Sequence, residues 1–200
     1  MQLFHYGQAE IGYLKRRDKK LGRAIDAIGT IERPVIPDLF TALVKSIVAQ
    51  QISRKAADTV WGRLCVKYLE ITPWSIASAD VSDIQGCGLS MRKARYIKGI
   101  GQAVIGGELN LLELSKMPDD EVIRKLSSLP GIGVWTAEML LIFSLGRPDV
   151  VSWKDLGIRR GMMKLYGLKE LTKDQFDRYR KRYSPCGSVA SLYLWAWSAR

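Results

Sequence analysis

Apolar residues recur three and four positions apart along most of the chain, as at Leu39, Leu43, Val44, Ile47 and Val48, striping one face of a helix. The period-two alternation of a half-buried strand is missing over any useful length. Polar starts and glycine stops punctuate the pattern. Asp38 after Pro37, Ser53, Ser90 and the run Pro118-Asp119-Asp120-Glu121 precede apolar-periodic stretches, where they offer acceptors or negative charge to the unpaired amides of a helix start. Gly86-Cys87-Gly88, Gly106-Gly107, Gly131-Ile132-Gly133, Gly146 with Pro148, and Gly167 follow such stretches as stops. The pattern predicts an all-α protein of about ten helices joined by short turns.

Two breaks divide it. Pro34-Val35-Ile36-Pro37 cannot continue a helix, and Gly146-Arg147-Pro148-Asp149 interrupts the pattern again. They predict a central lobe over residues 38–150 and a second lobe built from residues 1–37 and 151–200, with a ligand cleft between the two lobes.

At 200 residues, 47% hydrophobic and 26% charged, the chain has the composition of a folded domain and not of a disordered tail. Its longest apolar stretches, Leu39 to Val48 and Met139 to Leu145, are too short to cross a bilayer. Met1 to Ile11 lacks the layout of a secretory signal, so the expected location is the cytoplasm. Cys65, Cys87 and Cys186 are too scattered for a disulfide framework or a thiolate metal site, and no metal is expected.

Charge changes the picture more. There are 31 basic and 20 acidic residues, a balance of +11, which points to a polyanionic partner with nucleic acid ahead of a membrane surface. Residues 151–200 hold 11 basic and 4 acidic residues, including Arg178-Tyr179-Arg180-Lys181-Arg182, a solvated helix face or a phosphate-facing one.

The sharpest local signal is Leu129-Pro130-Gly131-Ile132-Gly133-Val134-Trp135-Thr136-Ala137, set between two helical runs. Glycines at 131 and 133 let the backbone turn sharply and approach a phosphate closely, and the amides of the following helix start, at Val134 and Thr136 among them, carry the positive dipole end. A bare Gly-x-Gly turn is equally a plain interhelical connection. The second signal is Asp155, twenty residues beyond Trp135, at the head of an apolar-periodic helix. Taken alone, Asp155 reads as a helix cap.

Together these features resemble the helix-hairpin-helix (HhH-GPD) DNA glycosylase superfamily, in which a hairpin spanning about 123–145 here is followed at this distance by an Asp. Two further blocks, Ala42-Leu43-Val44-Lys45-Ser46-Ile47-Val48-Ala49-Gln50-Gln51-Ile52-Ser53 and Gly88-Leu89-Ser90-Met91-Arg92-Lys93-Ala94-Arg95-Tyr96-Ile97, are similar to its 3-methyladenine DNA glycosylase II branch. With the closing Ser188-Val189-Ala190-Ser191-Leu192-Tyr193-Leu194-Trp195, the resemblance covers about residues 38–197. Longer members carry an additional β-rich N-terminal domain that these 200 residues leave no room for.

The resemblance implies base excision repair of alkylation damage: base flipping followed by hydrolysis of the N-glycosyl bond of 3-methyladenine or 7-methylguanine, with Asp155 as the catalytic carboxylate. Strand-cutting members place a nucleophilic Lys where this chain has Trp135, so the resemblance implies a hydrolase without lyase activity. It places Trp135 and Trp195 among the base-stacking tryptophans, with Trp153 added by proximity, although tryptophans at helical spacing are commonly core. It makes Gln51 the wedge that fills the vacated stack, beside Ser53, with Arg92, Lys93, Arg95 and Lys154 as phosphate-facing charges. The expected partner is double-stranded DNA containing damaged bases, bound by a monomer at the nucleoid. No cofactor is expected beyond a monovalent cation that the resemblance allows on hairpin carbonyls. Two other readings stand beside this one: a glycosylase for deaminated or etheno bases or uracil, and a non-catalytic helix-hairpin-helix DNA-binding module in which Asp155 is only a cap.

Overall fold

The computed structural model describes residues 2–200; Met1, the first residue of the stretch read for a targeting signal, lies outside them. Thirteen helices and an isolated antiparallel bridge between Leu3 and Pro34 make up the regular structure of the described residues. The all-α expectation holds, and the count of about ten is corrected upward. The extra elements are short: α5 (Pro73–Ser78), α6 (Val81–Gly86) and α8 (Leu111–Leu114) span six, six and four residues. At that length each shows less than two turns of pattern, so periodicity cannot reveal it.

The chain forms two compact units. One comprises residues 36–140, with α3 (Leu39–Ala49), α4 (Arg54–Tyr68), α5, α6, α7 (Met91–Ile105), α8, α9 (Asp119–Ser127) and most of α10 (Val134–Phe143). Its caps are those the sequence announces. Asp38 accepts from the Thr41 amide, Ser53 from Ala56 and Ser90 from Lys93, each satisfying an amide that the helix leaves unpaired. α7 is the central element here; its buried Ala94, Ile97 and Ile100 face α3, α5 and α6, which contribute Leu43, Ile47, Ile76 and Ile84.

The other unit joins residues 1–35 to 141–200, with α1 (Gln8–Arg17), α2 (Lys19–Ile28), α11 (Leu156–Tyr166), α12 (Lys173–Tyr183) and α13 (Gly187–Ser198). The division falls within α10, before the Gly146–Asp149 break, because the last turn of that helix packs here: Leu141 and Ile142 are buried and the Phe143 ring lies 5.7 Å from Trp195. α13 is the core helix, buried from Gly187 through Leu194, and α2, α11 and α12 pack against it. Its closest neighbour is α11: a Cβ on Gly161 would lie 2.2 Å from the Leu194 carbonyl oxygen, so only glycine permits this approach.

A buried polar junction ties α12 to the start of α2. Asp18 caps α2 through the Lys20 and Leu21 amides, accepts from the Tyr166 hydroxyl at 2.6 Å, and pairs with Arg182 at 3.3 Å. Burial pushes the Tyr166 and Tyr183 hydroxyls well above the usual phenol range, so both remain hydrogen-bonding groups. Arg182 is exposed, like Arg178, Arg180 and Lys181 of the same run, but its guanidinium is turned to the buried Asp18 carboxylate.

Candidate active site

Asp155 is both buried and positioned. It is 7% exposed and caps α11, its Oδ1 accepting from the Ile158 amide at 2.8 Å. The same Oδ1 accepts from Trp195 Nε1 on α13, also at 2.8 Å. The cap reading and the functional reading thus fall on one carboxylate: the helix start supplies an amide donor and a favourable dipole, while the indole fixes the carboxylate's rotation.

The loop that delivers Asp155 is fastened to the head of α13. Asp149 accepts from the Gly187 amide and the Ser184 hydroxyl, Ser188 bridges the Arg147 carbonyl and the Val150 amide, and Ser191 donates to the Val150 carbonyl. Ser188 and Ser191 are fully buried, so these bonds anchor the loop from inside. Gly157 completes the arrangement. A Cβ there would meet Trp195 Cδ1 at 2.7 Å and Asp155 Oδ1 at 3.1 Å, so glycine is what lets the indole reach the carboxylate. Sequence reasoning missed Gly157 and Gly161, although their four-residue spacing on one face of α11 is the readable sign of a helix that another helix approaches closely.

The tryptophans separate into three roles. Trp195 is half-buried, packed on Phe143 and bonded to Asp155. Trp135, in the first turn of α10, is 47% exposed and presents aromatic surface to solvent. Trp153 is half-buried and has neighbours of its own. The Phe176 ring lies roughly perpendicular to it at 5.1 Å between centroids and the Arg159 guanidinium lies 4.3 Å from its centroid, so part of the indole is engaged in packing.

In the unit of residues 36–140 the hairpin has the expected form. α9 ends at Ser127, the Ile132 amide bonds to the Leu129 carbonyl, and α10 starts behind Gly133, whose carbonyl accepts from Ala137. Gly131 has φ of 88°, and a Cβ there would stand 2.5 Å from the Tyr96 ring, so both conformation and contact demand glycine. Val134 and Gly133 are exposed, whereas Thr136 is buried at 8%; the α10 start therefore offers backbone, with the Thr136 side chain turned away from solvent. The Gly131 carbonyl accepts from Gln50 Nε2 at 2.7 Å, which gives this hairpin carbonyl a protein donor. Among the described residues no group of three or more His, Cys, Asp and Glu is placed to hold a metal ion.

Gln50 is the C-cap of α3, and Gln51, Ile52 and Ser53 form the exposed turn into α4. Gln51 adopts φ of 57°, a left-handed conformation uncommon for a residue with a side chain. Arg92, Arg95 and Lys154 are exposed, as a phosphate-facing role requires. Lys93 is not: its Nζ donates to the Val48 and Gln50 carbonyls at 3.0 and 2.5 Å, and burial together with Arg92 pulls its ammonium below the usual lysine range. Its charge serves the C-terminus of α3, where cations are favoured. Cys87 and Cys186 are buried, which pushes their thiols up and away from reactivity.

Residues 44–186 match the HhH-GPD superfamily of base excision DNA repair proteins. DNA-3-methyladenine glycosylase 1 of Schizosaccharomyces pombe is 34% identical over 163 residues, which cover 78% of this chain and 71% of the relative. The crystal structure of a DNA-3-methyladenine glycosidase from Bacillus halodurans superposes with a TM-score of 0.88 at 36% identity, covering 99% of this chain and 93% of that one. The S. pombe 3-methyladenine DNA glycosylase in complex with abasic DNA superposes with a TM-score of 0.78 at 31% identity, over 94% and 95% of the two chains. The hairpin, the turn beside it and the capped aspartate all lie inside the matched span, and the chain belongs to the HhH-GPD superfamily of base excision DNA repair proteins.

Proposed function

We propose that this protein is a DNA glycosylase that extrudes alkylated purines, 3-methyladenine and 7-methylguanine, from duplex DNA and hydrolyses their N-glycosyl bond. The observation that carries the reading is Asp155, a buried carboxylate held at a helix start by two donors on a single oxygen. Relatives that span most of this chain are named as DNA-3-methyladenine glycosylases, which favours this substrate class over deaminated or etheno bases.

The chemistry follows from the bond. Cleavage builds positive charge on the deoxyribose, and a fixed carboxylate beside C1′ stabilises that charge without reorganising. The same carboxylate orients or deprotonates the attacking water. Bases alkylated at N3 or N7 are already cationic, so they depart without a general acid. That agrees with a chain whose single histidine, His5, is exposed near the N-terminus.

Reaching C1′ requires the nucleotide to leave the stack. The exposed ring of Trp135 is suited to hold the extruded cationic base by stacking and cation–π attraction. Trp195 acts as a positioning residue for Asp155 through its indole N–H. Gln51 is suited to fill the vacated space as the wedge, and the amides behind Gly131 and Gly133 to clamp a phosphate, with Arg92 and Lys154 adding charge. The position of a lyase amine is taken by Trp135, so the product is an intact abasic strand. The protein acts as a monomer on DNA in the cytoplasm, at the nucleoid. No helix among the described residues is long and apolar enough to cross a membrane.

The test is release of free 3-methyladenine from methylated duplex by the wild type and by Asp155→Asn, with the DNA assayed for breaks before and after alkali. Release that vanishes in the variant, with breaks only after alkali, is the expected result. Breaks without alkali would overturn the hydrolase assignment, and no release from any alkylated, deaminated or etheno lesion would leave a DNA-binding module.

A further inference from the structure

The left-handed backbone at Gln51 is the most telling irregularity in the unit of residues 36–140. Strained conformations persist only where the surroundings over-determine them, and here the surroundings are specific. α3 ends at Gln50 with extended backbone, ψ of 133°, and α4 restarts at Arg54 under its Ser53 cap, so the crossing is made in Gln51, Ile52 and Ser53. Gln50 is held twice: its carbonyl accepts from Lys93 Nζ, and its side-chain amide donates to the Gly131 carbonyl of the hairpin. Lys93 also grips the Val48 carbonyl, so one ammonium closes the last turn of α3.

The two anchors have a common base. Lys93 and Tyr96 lie three residues apart on α7, hence on one face, and Tyr96 is the ring against which Gly131 is seated. α7 thus sets the height of the hairpin through Tyr96 and the end of α3 through Lys93, while Gln50 joins the two directly. The partial burial of Lys93 has a cost that a solvent-facing phosphate contact would not incur, which marks a charge retained for this internal task.

We propose that Gln50 and Lys93 are positioning residues that hold Gln51 in its left-handed conformation at a fixed place beside the hairpin, so that wedge and phosphate clamp engage the duplex in register. This rests on the reading of Gln51 as the wedge. It assigns to Lys93 a role different from phosphate binding, and to Gln50 a role that its neighbour's exposure conceals.

The test uses the full chain and a duplex with a tetrahydrofuran abasic analogue facing 2-aminopurine, whose fluorescence reports insertion into the stack without any catalysis. Wild type is expected to change the signal on binding and Gln51→Ala to abolish the change. Gln50→Ala and Lys93→Met should each remove at least about half of it while shifting affinity for undamaged duplex less than about threefold, because the backbone clamp is intact. Lys93→Arg, which keeps a donor, should restore part of the signal, and guards against a Lys93→Met chain that melts early.

Full signal change in Gln50→Ala and Lys93→Met, or no recovery of signal in a folded Lys93→Arg, would overturn the proposal. Tight binding by wild type with no fluorescence change would overturn it too. Base release measured on methylated duplex in parallel separates this from the function: a chain that inserts Gln51 but releases no base keeps the positioning role and loses the glycosylase reading.

Discussion

The two units share a chain and differ in charge. Residues 36–140 hold 12 basic and 11 acidic side chains, a balance of +1; residues 1–35 with 141–200 hold 19 basic and 9 acidic, a balance of +10. The unit with the hairpin and the strained turn is nearly neutral, and the unit with Asp155 carries the field. A clamp made of backbone amides needs no side-chain charge, because the helix start and the glycine turn supply the donors. Drawing a polyanion from a distance does need charge, and α12 with the α1–α2 corner provides it through Arg178, Arg180, Lys181, Arg16, Arg17 and Lys19, all exposed. On the proposed function, long-range attraction and short-range grip fall to different stretches of sequence and can be broken separately.

The largest effect belongs to the charged unit. Asp155→Asn keeps a side-chain oxygen for the Ile158 amide and so keeps the cap, but loses the charge. Single-turnover release of 3-methyladenine should fall by at least about a hundredfold, the scale of removing an electrostatic partner from a transition state, with affinity for undamaged duplex unchanged. Equal losses in both would make Asp155 a fold residue only.

Gly157→Ala comes next. The new methyl would sit within 2.7 Å of Trp195 Cδ1, and either the indole turns from Asp155 or α11 shifts from α13. Overpacking of this kind costs about 1–3 kcal/mol, read as a lower melting temperature, and excision should slow by about tenfold as the carboxylate loses its second donor. A variant that melts earlier but excises at the wild-type rate would separate the Trp195 bond from the chemistry.

The hairpin tests the neutral unit. Gly131→Ala faces both the Tyr96 ring at 2.5 Å and a φ of 88°, so the turn must deform. Damaged and undamaged duplex should both bind about tenfold more weakly, since phosphate contacts carry no sequence or lesion information. Loss confined to damaged duplex would mean that the turn reads the lesion instead. Removing charge from α12 by Arg178→Gln, Arg180→Gln and Lys181→Gln should act differently. The slope of log affinity against log salt should shrink by about one for each phosphate no longer neutralised, with release at saturating enzyme unaffected.

How much of this was open to reading in the sequence follows the same division. Helix starts were legible because caps are local: Ser53, Ser90 and Asp38 each bond an amide three residues on. The family was legible through its resemblance to the hairpin followed by Asp155, and the match over residues 44–186 shows it. Short helices such as α8 were not, because they show too little of a period. Nor were the long-range partners. Nothing near Lys93 in the sequence announces that its ammonium is spent on carbonyls 45 and 43 residues away, or that Arg159 covers Trp153. Those pairings depend on which helices meet, and a side chain's neighbours across a fold leave no mark on its own segment.

Trp153 supplies the smallest effect, and it tests whether the aromatic roles divide as described. With Phe176 roughly perpendicular at 5.1 Å and Arg159 at 4.3 Å, part of its ring is already engaged on the side chains of its own unit. Trp153→Phe should therefore lower stability by about 1 kcal/mol through a smaller packed ring and a weaker cation–π pair, and change single-turnover release by less than about threefold. Trp135→Phe, altering a ring that is 47% exposed, should do the opposite, leaving the melting temperature nearly unchanged while slowing release of the cationic base. If Trp153→Phe slows release as much as Trp135→Phe does, Arg159 must give way when DNA binds, and the ring it covers joins the base pocket after all.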